Sequence, residues 1–244
     1  MSARMPVRPI ACRAGSPDDR PVKAFGRALF LCAVLLFSIM AAPARSATAG
    51  FVDDFAALDA GRWTTGAHPL GRSLLEPANV RVDRGRLALT VPAGTTNGAE
   101  VRTKETYGVG RFAARIRAAA APSSITGFFL YAPPDYASEI DVEILGDRSG
   151  TVLLTTYAGG RETHHERRAL GFDPTAAAHD YRIDWSRGAA AFAVDGRVLR
   201  RWTSGVPKAP MGLYVNVWFP RWLAGIAPPV QAWTLVLRVE VRPR

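Results

Sequence analysis

"SEIDVEI", residues 138–144, sets Glu139, Asp141 and Glu143 at every second position, with Ile140, Val142 and Ile144 between and after them. In a β-strand successive side chains point to opposite faces, so the three carboxyls share one face and the three β-branched residues the other. At helical spacing the acids would splay around the axis, and isoleucine and valine are better strand formers than helix formers. Three like charges so close together repel. Two readings answer that cost: a solvated acidic strand face, or a site that needs carboxyls with separated pKa values.

The alternation continues on both sides in "RLALTV" (86–91), "RFAARIRA" (111–118), "TGFFLY" (126–131), "TVLLTTY" (151–157), "DYRIDWS" (180–186) and "AAFAVDG" (190–196). Turn residues separate these segments. Asp195-Gly196, between "AAFAV" and "RVLRRW", signals a two-residue hairpin, because both residues tolerate the positive φ that such turns require. With "GLYVNVW" (212–218) and "AWTLVLRVEV" (232–241) the chain reads as roughly a dozen strands of a two-sheet antiparallel sandwich, one domain without repeats. No long amphipathic helix is offered. "PTAAAHD" (174–180) allows one turn, Ala118–Ala121 runs into a loop at Pro122, and the proline-rich "FPRWLAGIAPPVQ" (219–231) is expected as a loop at the sandwich rim.

The first 49 residues carry seven Lys or Arg, two Asp and the apolar run "ALFLCAVLLFSIMAA" (28–42), followed by small residues. This is the composition of a secretory leader with a long basic region, cut after Ala44 or Ala49. The run is shorter than the ~20 residues of a spanning helix, which makes an uncleaved anchor the lesser alternative. The expected division is therefore a leader over 1–49 and a folded domain over 50–244, secreted or periplasmic, with no stable membrane insertion once the leader is removed. Both cysteines, Cys12 and Cys32, lie in the leader, so the domain has no disulfide to rely on. Taking the leader's seven basic and two acidic residues from totals of 31 and 21 leaves 24 and 19, a formal charge of +5. The arginines are scattered along the strands. That distribution suits solubility or attraction to an acidic polymer, not nucleic-acid binding, and a monomer is expected.

Several stretches occur together and in order: "FVDDF…LDAGRW" (51–63), "AEVRTKETYGVGRFAARIRA" (99–118), "SEIDVEILG" (138–146), "HDYRIDW" (179–185), "VDG" and "LYVNVW" (213–218). Over about residues 51–241 the chain resembles glycoside hydrolase family 16, in particular its lichenase-like and exopolysaccharide-depolymerase branch. The resemblance implies a β-jelly roll whose concave sheet forms a glycan cleft. It further implies that Glu139 is the nucleophile, Asp141 its helper and Glu143 the general acid/base. The E-x-D-x-E spacing is uninterrupted, without the extra residue typical of the laminarinase-type branch. A retaining glycosidase needs its two carboxyl groups only ~5 to 5.5 Å apart, whereas four strand residues span about 13 Å. Glutamates are long enough to lean inward and close that gap; aspartates at 139 and 143 would be too short.

The same resemblance makes Glu100 and Arg102 sugar-binding, Asn216 a polar contact and Trp218 an aromatic platform, with Trp222, Tyr157 and Phe129 as further candidates. Indole packs well against the C–H faces of sugars. The alternatives are a cross-strand ion pair for Glu100 and Arg102 and a core position for Trp218. His68, His164, His165 and His179 have no metal-ligand spacing, His179 is expected to support the fold, and "GVG" (108–110) reads as a turn. No metal and no cofactor are expected; where related enzymes place a calcium-binding Asp, Leu235 stands. Other departures are Ala137 in place of a Trp before the nucleophile, and Leu153 and Thr155 in place of Gln and Asn, which make the cleft floor less polar. The expected activity is retaining endo-hydrolysis of a β-1,3-1,4-glucan or related exopolysaccharide. A transglycosylase shares the first chemical step. A non-catalytic carbohydrate-binding jelly roll would dispense with at least one of the acids, and a basic polyanion binder would bind with steep salt dependence.

Overall fold

The computed structural model describes residues 48–244. The expected leader, with both cysteines and the apolar run, falls outside the described residues except for its last two positions. In chain order the strands are β1 (Phe51–Asp53), β2 (Trp63–Thr65), β3 (His68–Leu70), β4 (Ser73–Leu75), β5 (Val80–Val82) and β6 (Leu87–Val91). There follow β7 (Ala99–Thr103), β8 (Gly110–Arg117), β9 (Ile125–Ala132), β10 (Ser138–Leu145), β11 (Thr151–Ala158) and β12 (Glu162–Ala169). The last are β13 (His179–Ser186), β14 (Ala189–Val194), β15 (Arg197–Trp202), β16 (Gly212–Trp218) and β17 (Ala232–Pro243). Among the described residues the one helical element is a 3-10 turn at Pro77–Asn79.

Two large antiparallel sheets result, a jelly-roll sandwich. One runs β15-β14-β13-β8-β17-β6-β5 with β1 added to β17; the other runs β12-β11-β10-β9-β16-β7-β2; β3 and β4 form a separate hairpin. Among the described residues seventeen strands stand where about a dozen were expected. The additional ones carried no readable period. β1 to β5 have three residues each, and β12, "ETHHERRA", lies at a sheet edge with neither face fully buried.

Other expectations hold in detail. Asp195 (φ 47°) and Gly196 (φ 80°) form the tight turn between β14 and β15. Residues 219–231 connect β16 to β17 as a loop, and Ala176 donates its N–H to the Asp173 carbonyl in a single turn. His179 does support the fold: its Nδ1 lies 2.7 Å from Asp195 Oδ2 and its ring stacks on Phe172.

The two sheets bury one continuous core. From β10 it takes Ile140, Val142 and Ile144, each at most 2% exposed. They lie in one layer with Phe128, Leu130, Val152, Leu154, Leu213 and Val215, against Phe112, Ile116, Tyr181, Ile183 and Trp185 of the other sheet. The alternation of β10 thus has its structural meaning: the apolar set faces the core and the acidic set faces out.

Replacing Ile140 by Ala leaves a cavity directly beneath that strand. It is expected to lower unfolding free energy by about 2–5 kcal/mol in urea titration, and an unchanged midpoint would contradict this packing.

Candidate active site

Register assembles the site. Across β10, Glu139 pairs with Tyr157 of β11 and Tyr131 of β9, Asp141 with Thr155 and Phe129, and Glu143 with Leu153 and Gly127. Beyond β9, β16 sets Gly212, Tyr214, Asn216 and Trp218 opposite Tyr131, Phe129, Gly127 and Ile125. Next, β7 sets Arg102 and Glu100 opposite Tyr214 and Asn216. Directly paired residues point to the same face, so transverse rows of side chains cross the open side of this sheet. One row is Leu153, Glu143, Gly127, Asn216, Glu100; the next is Thr155, Asp141, Phe129, Tyr214, Arg102.

The three acids are desolvated and have no cation: none joins an ion pair among the described residues. Burial, with the neighbouring Glu139 charge, pushes Glu143 up to about 7. Burial also pushes Glu139 up to about 7, against a hydrogen bond with Asp141 that acts the other way, while Asp135 adds to the rise. Asp141 is 5% exposed, lies between the two glutamates and is raised well above the usual carboxylate range, first by burial and then by both neighbours. Its Oδ1 has no hydrogen-bond partner. The charge of each member therefore depends on that of its neighbours, and the three titrate as a coupled system.

The flanking residues divide the face into two unlike ends. At the Glu143 end Ile125, Leu145 and Leu153 form a small apolar cluster, against which Trp218 and Leu223 pack. Trp218 therefore lies on the open side of the sheet and not in the main core. At the Glu139 end the side chains are aromatic. Tyr214 stacks on Phe129 at 5.0 Å and meets Tyr131 edge-on at 5.6 Å, while Tyr136 packs on Tyr157 at 5.2 Å.

Glu100 and Arg102 make no ion pair. Glu100 is buried and accepts a hydrogen bond from Asn216 Nδ2 at 3.3 Å, and burial raises its pKa. Gly127 is needed for space: a Cβ there would lie 2.5 Å from Asn216 Oδ1. Thus Glu139, Asp141, Glu143, Tyr157, Glu100, Arg102, Asn216 and Trp218 share one face. Trp222 stands on the rim loop, 61% exposed, outside these rows.

Residues 72–223, more than half of the chain, match the family described as Glycosyl hydrolases family 16. The chain belongs to glycosyl hydrolases family 16. Among similar proteins, a β-glucanase of Bacillus amyloliquefaciens is 34% identical over 137 residues, 54% of this chain and 57% of that protein. A β-glucanase of Acetivibrio thermocellus is 28% identical over 202 residues, 76% of this chain and 60% of that one. The chain so covers well under two thirds of the length of either relative. The solved structure of Bacillus licheniformis β-glucanase superposes with a TM-score of 0.74 over 81% of this chain and 99% of that one, at 23% identity, a likeness of fold.

This family 16 face also holds residues that linear reading passed over. Gly127, Gly212, Tyr131 and Tyr214 enter through register alone. Arg72 enters through the rim: its guanidinium donates to the carbonyls of Pro220, Leu223 and Gly225 and to Ser123 Oγ, at 2.8–3.2 Å, and lies over the Phe219 ring. No sequence period marks an arginine that stitches a loop.

The raised glutamates have a consequence for stability. Between pH 4.5 and about 7 the unfolded chain loses the Glu143 proton before the folded one does, so folding weakens as pH rises through this window. Glu143→Gln removes the penalty. The variant is expected to melt above the wild type at pH 8, by up to about 3 kcal/mol, with the difference closing toward pH 4.5; equal melting curves at every pH would contradict the desolvation of Glu143.

Proposed function

We propose that this chain is an exported, retaining, endo-acting glycoside hydrolase that cleaves internal β-glucosidic bonds of a β-1,3-1,4-glucan or a related exopolysaccharide. The observation that carries the reading is the pair Glu139 and Glu143 on one open face around Asp141, both held near neutrality by burial without any cation. The relatives named β-glucanase support the substrate class.

In this reading the Glu139 carboxylate attacks the anomeric carbon while Glu143 gives its proton to the departing glycosidic oxygen. The bond to the leaving sugar breaks as the bond to Glu139 forms. Glu143, now ionised, then takes a proton from water, whose oxygen displaces Glu139 and restores the original configuration. A nucleophile must be ionised and an acid protonated in the same resting site. Mutual repulsion within the trio favours states with fewer than three charges. Asp141 serves by sharing a proton with Glu139, so that Glu139 is ionised when the sugar arrives and relieved of charge once it bonds to carbon.

Endo action fits the placement. β10 is the third of seven strands, with Tyr157 and Thr155 on one side and Tyr131, Phe129 and Tyr214 on the other, so a polymer is held on both sides of the cut. Export follows from the leader read in residues 1–49, and the domain it releases acts on a polysaccharide outside the cell or in the periplasm.

Glu139→Ala and Glu143→Ala are each expected to lower the cleavage rate by roughly 10³-fold or more with unchanged circular dichroism. Proton NMR of the first products should show the β-anomer; α-anomeric products, or full activity in either variant, would overturn the mechanism. Sizing the products at high acceptor concentration separates hydrolysis from transfer to a second sugar.

A further inference from the structure

At the Glu139 end the open face deepens into a pocket of about 400 Å³. Its wall is β7 and the residues after it, where Arg102 and Lys104 project at alternate positions, both exposed. Neither cation has a carboxylate partner among the described residues. No acidic residue lines the pocket; threonines, Ala132, Pro133 and the rings of Tyr131 and Tyr214 complete it. Asp135, outside the lining, is held by the Tyr131 hydroxyl at 2.7 Å.

The floor is open because residue 212 is glycine. Its φ is not positive, so no turn demands it. A side chain at 212 would project into the same space, with its Cβ 3.1 Å from the Tyr214 ring. Gly212 opens β16 and leaves that space clear of any side chain.

We infer that this pocket receives an anionic substituent, carboxylate or sulfate, carried by a sugar of the bound glycan. The inference rests on the glycanase reading and narrows its substrate to an acidic polysaccharide. The charge layout gives it a physical role. The acid trio at mid-sheet repels an anion, while the cations about 14 Å away, three strand spacings across the sheet, attract one. An acidic polymer is thereby held in the register that keeps its substituent away from the reacting carboxyls, with Arg102 able to bond an oxyanion through two N–H groups and Lys104 as a point charge. The tyrosine rings supply apolar faces for the sugar that bears the group.

Binding and cleavage are measured separately on three polymers with one backbone: a β-1,3-1,4-glucan, the same glucan with primary hydroxyls oxidised to uronates, and the same glucan sulfated. Binding uses the full chain carrying Glu143→Gln. At low salt at least one anionic polymer is expected to bind roughly tenfold tighter than the neutral one. A gain with both means that the pocket reads charge, and a gain with one alone identifies the oxyanion it fits. Adding Lys104→Gln should abolish most of that advantage. Adding Arg201→Gln, which removes the same charge from the opposite sheet, should not. Equal binding of all three polymers, or an advantage untouched by Lys104→Gln or lost equally with Arg201→Gln, overturns the inference. If the wild type cleaves none of the polymers while the Lys104-dependent preference persists, the hydrolase reading fails and the pocket stands; cleavage of the neutral glucan without any such preference sinks the pocket alone.

Discussion

Holding three carboxyls side by side on one strand without a cation is the constraint on which the molecule turns. Desolvation makes each charge costly and proximity makes the second and third costlier still. The chain tolerates this because the opposite face of β10 is among its best-buried surfaces, with Ile140, Val142 and Ile144 in the common core. A slip of one residue would drive the acids into that core and expose the branched residues, so the register is strongly fixed. The destabilising face and the anchoring face are consecutive residues of one strand, which is why neither can be moved independently of the other.

Fixing β10 fixes its neighbours, and the rest of the open face follows from pairing. Tyr157, Tyr131 and Gly212 lie level with Glu139, whereas Leu153, Gly127 and Asn216 lie level with Glu143. Small residues matter as much as large ones here, because Gly127 lets Asn216 sit beside the Glu143 row and reach Glu100. The rim is held differently. Arg72 satisfies three loop carbonyls that have no sheet partner, and one of them belongs to Leu223, which packs, like Trp218, against the Ile125, Leu145 and Leu153 cluster. Backbone polar groups in an irregular loop need such partners when water is excluded, and one guanidinium supplies several donors at once.

What the sequence made legible follows from which signals are local. Alternation exposed β6, β8 to β11, β13, β14, β16 and β17, and the Asp195-Gly196 turn was readable because positive φ selects those residue types. The acid trio was legible for the same reason: all its members lie within five positions. β1 to β5 were not, since three residues cannot display a period, nor was β12, whose edge position asks for no apolar face. The remaining site residues depend on pairing between strands far apart in sequence. Asn216 sits beside Gly127, and Arg102 beside Tyr214, only because β16 inserts between β7 and β9; nothing near residues 127 or 212 reveals that their missing side chains shape a cleft.

The two ends of that cleft differ in a way that bears on how specificity is divided. At the Glu143 end Leu153 and the cluster around it offer apolar packing, and in the middle row Thr155 is engaged with His165 at 3.2 Å. Contacts at that end combine apolar packing with the hydrogen-bonded pair Asn216 and Glu100, which lies in the same row as Glu143. At the Glu139 end stand exposed cations without a carboxylate partner among the described residues, with aromatic ring faces beside them, which the proposed pocket would use to read charge and ring orientation. The acid trio, where ionised, repels an anion. On the proposed function, discrimination by charge is concentrated at the Glu139 end, and changes to Arg102, Lys104 or Gly212 would alter which polymer is placed while leaving β10 intact.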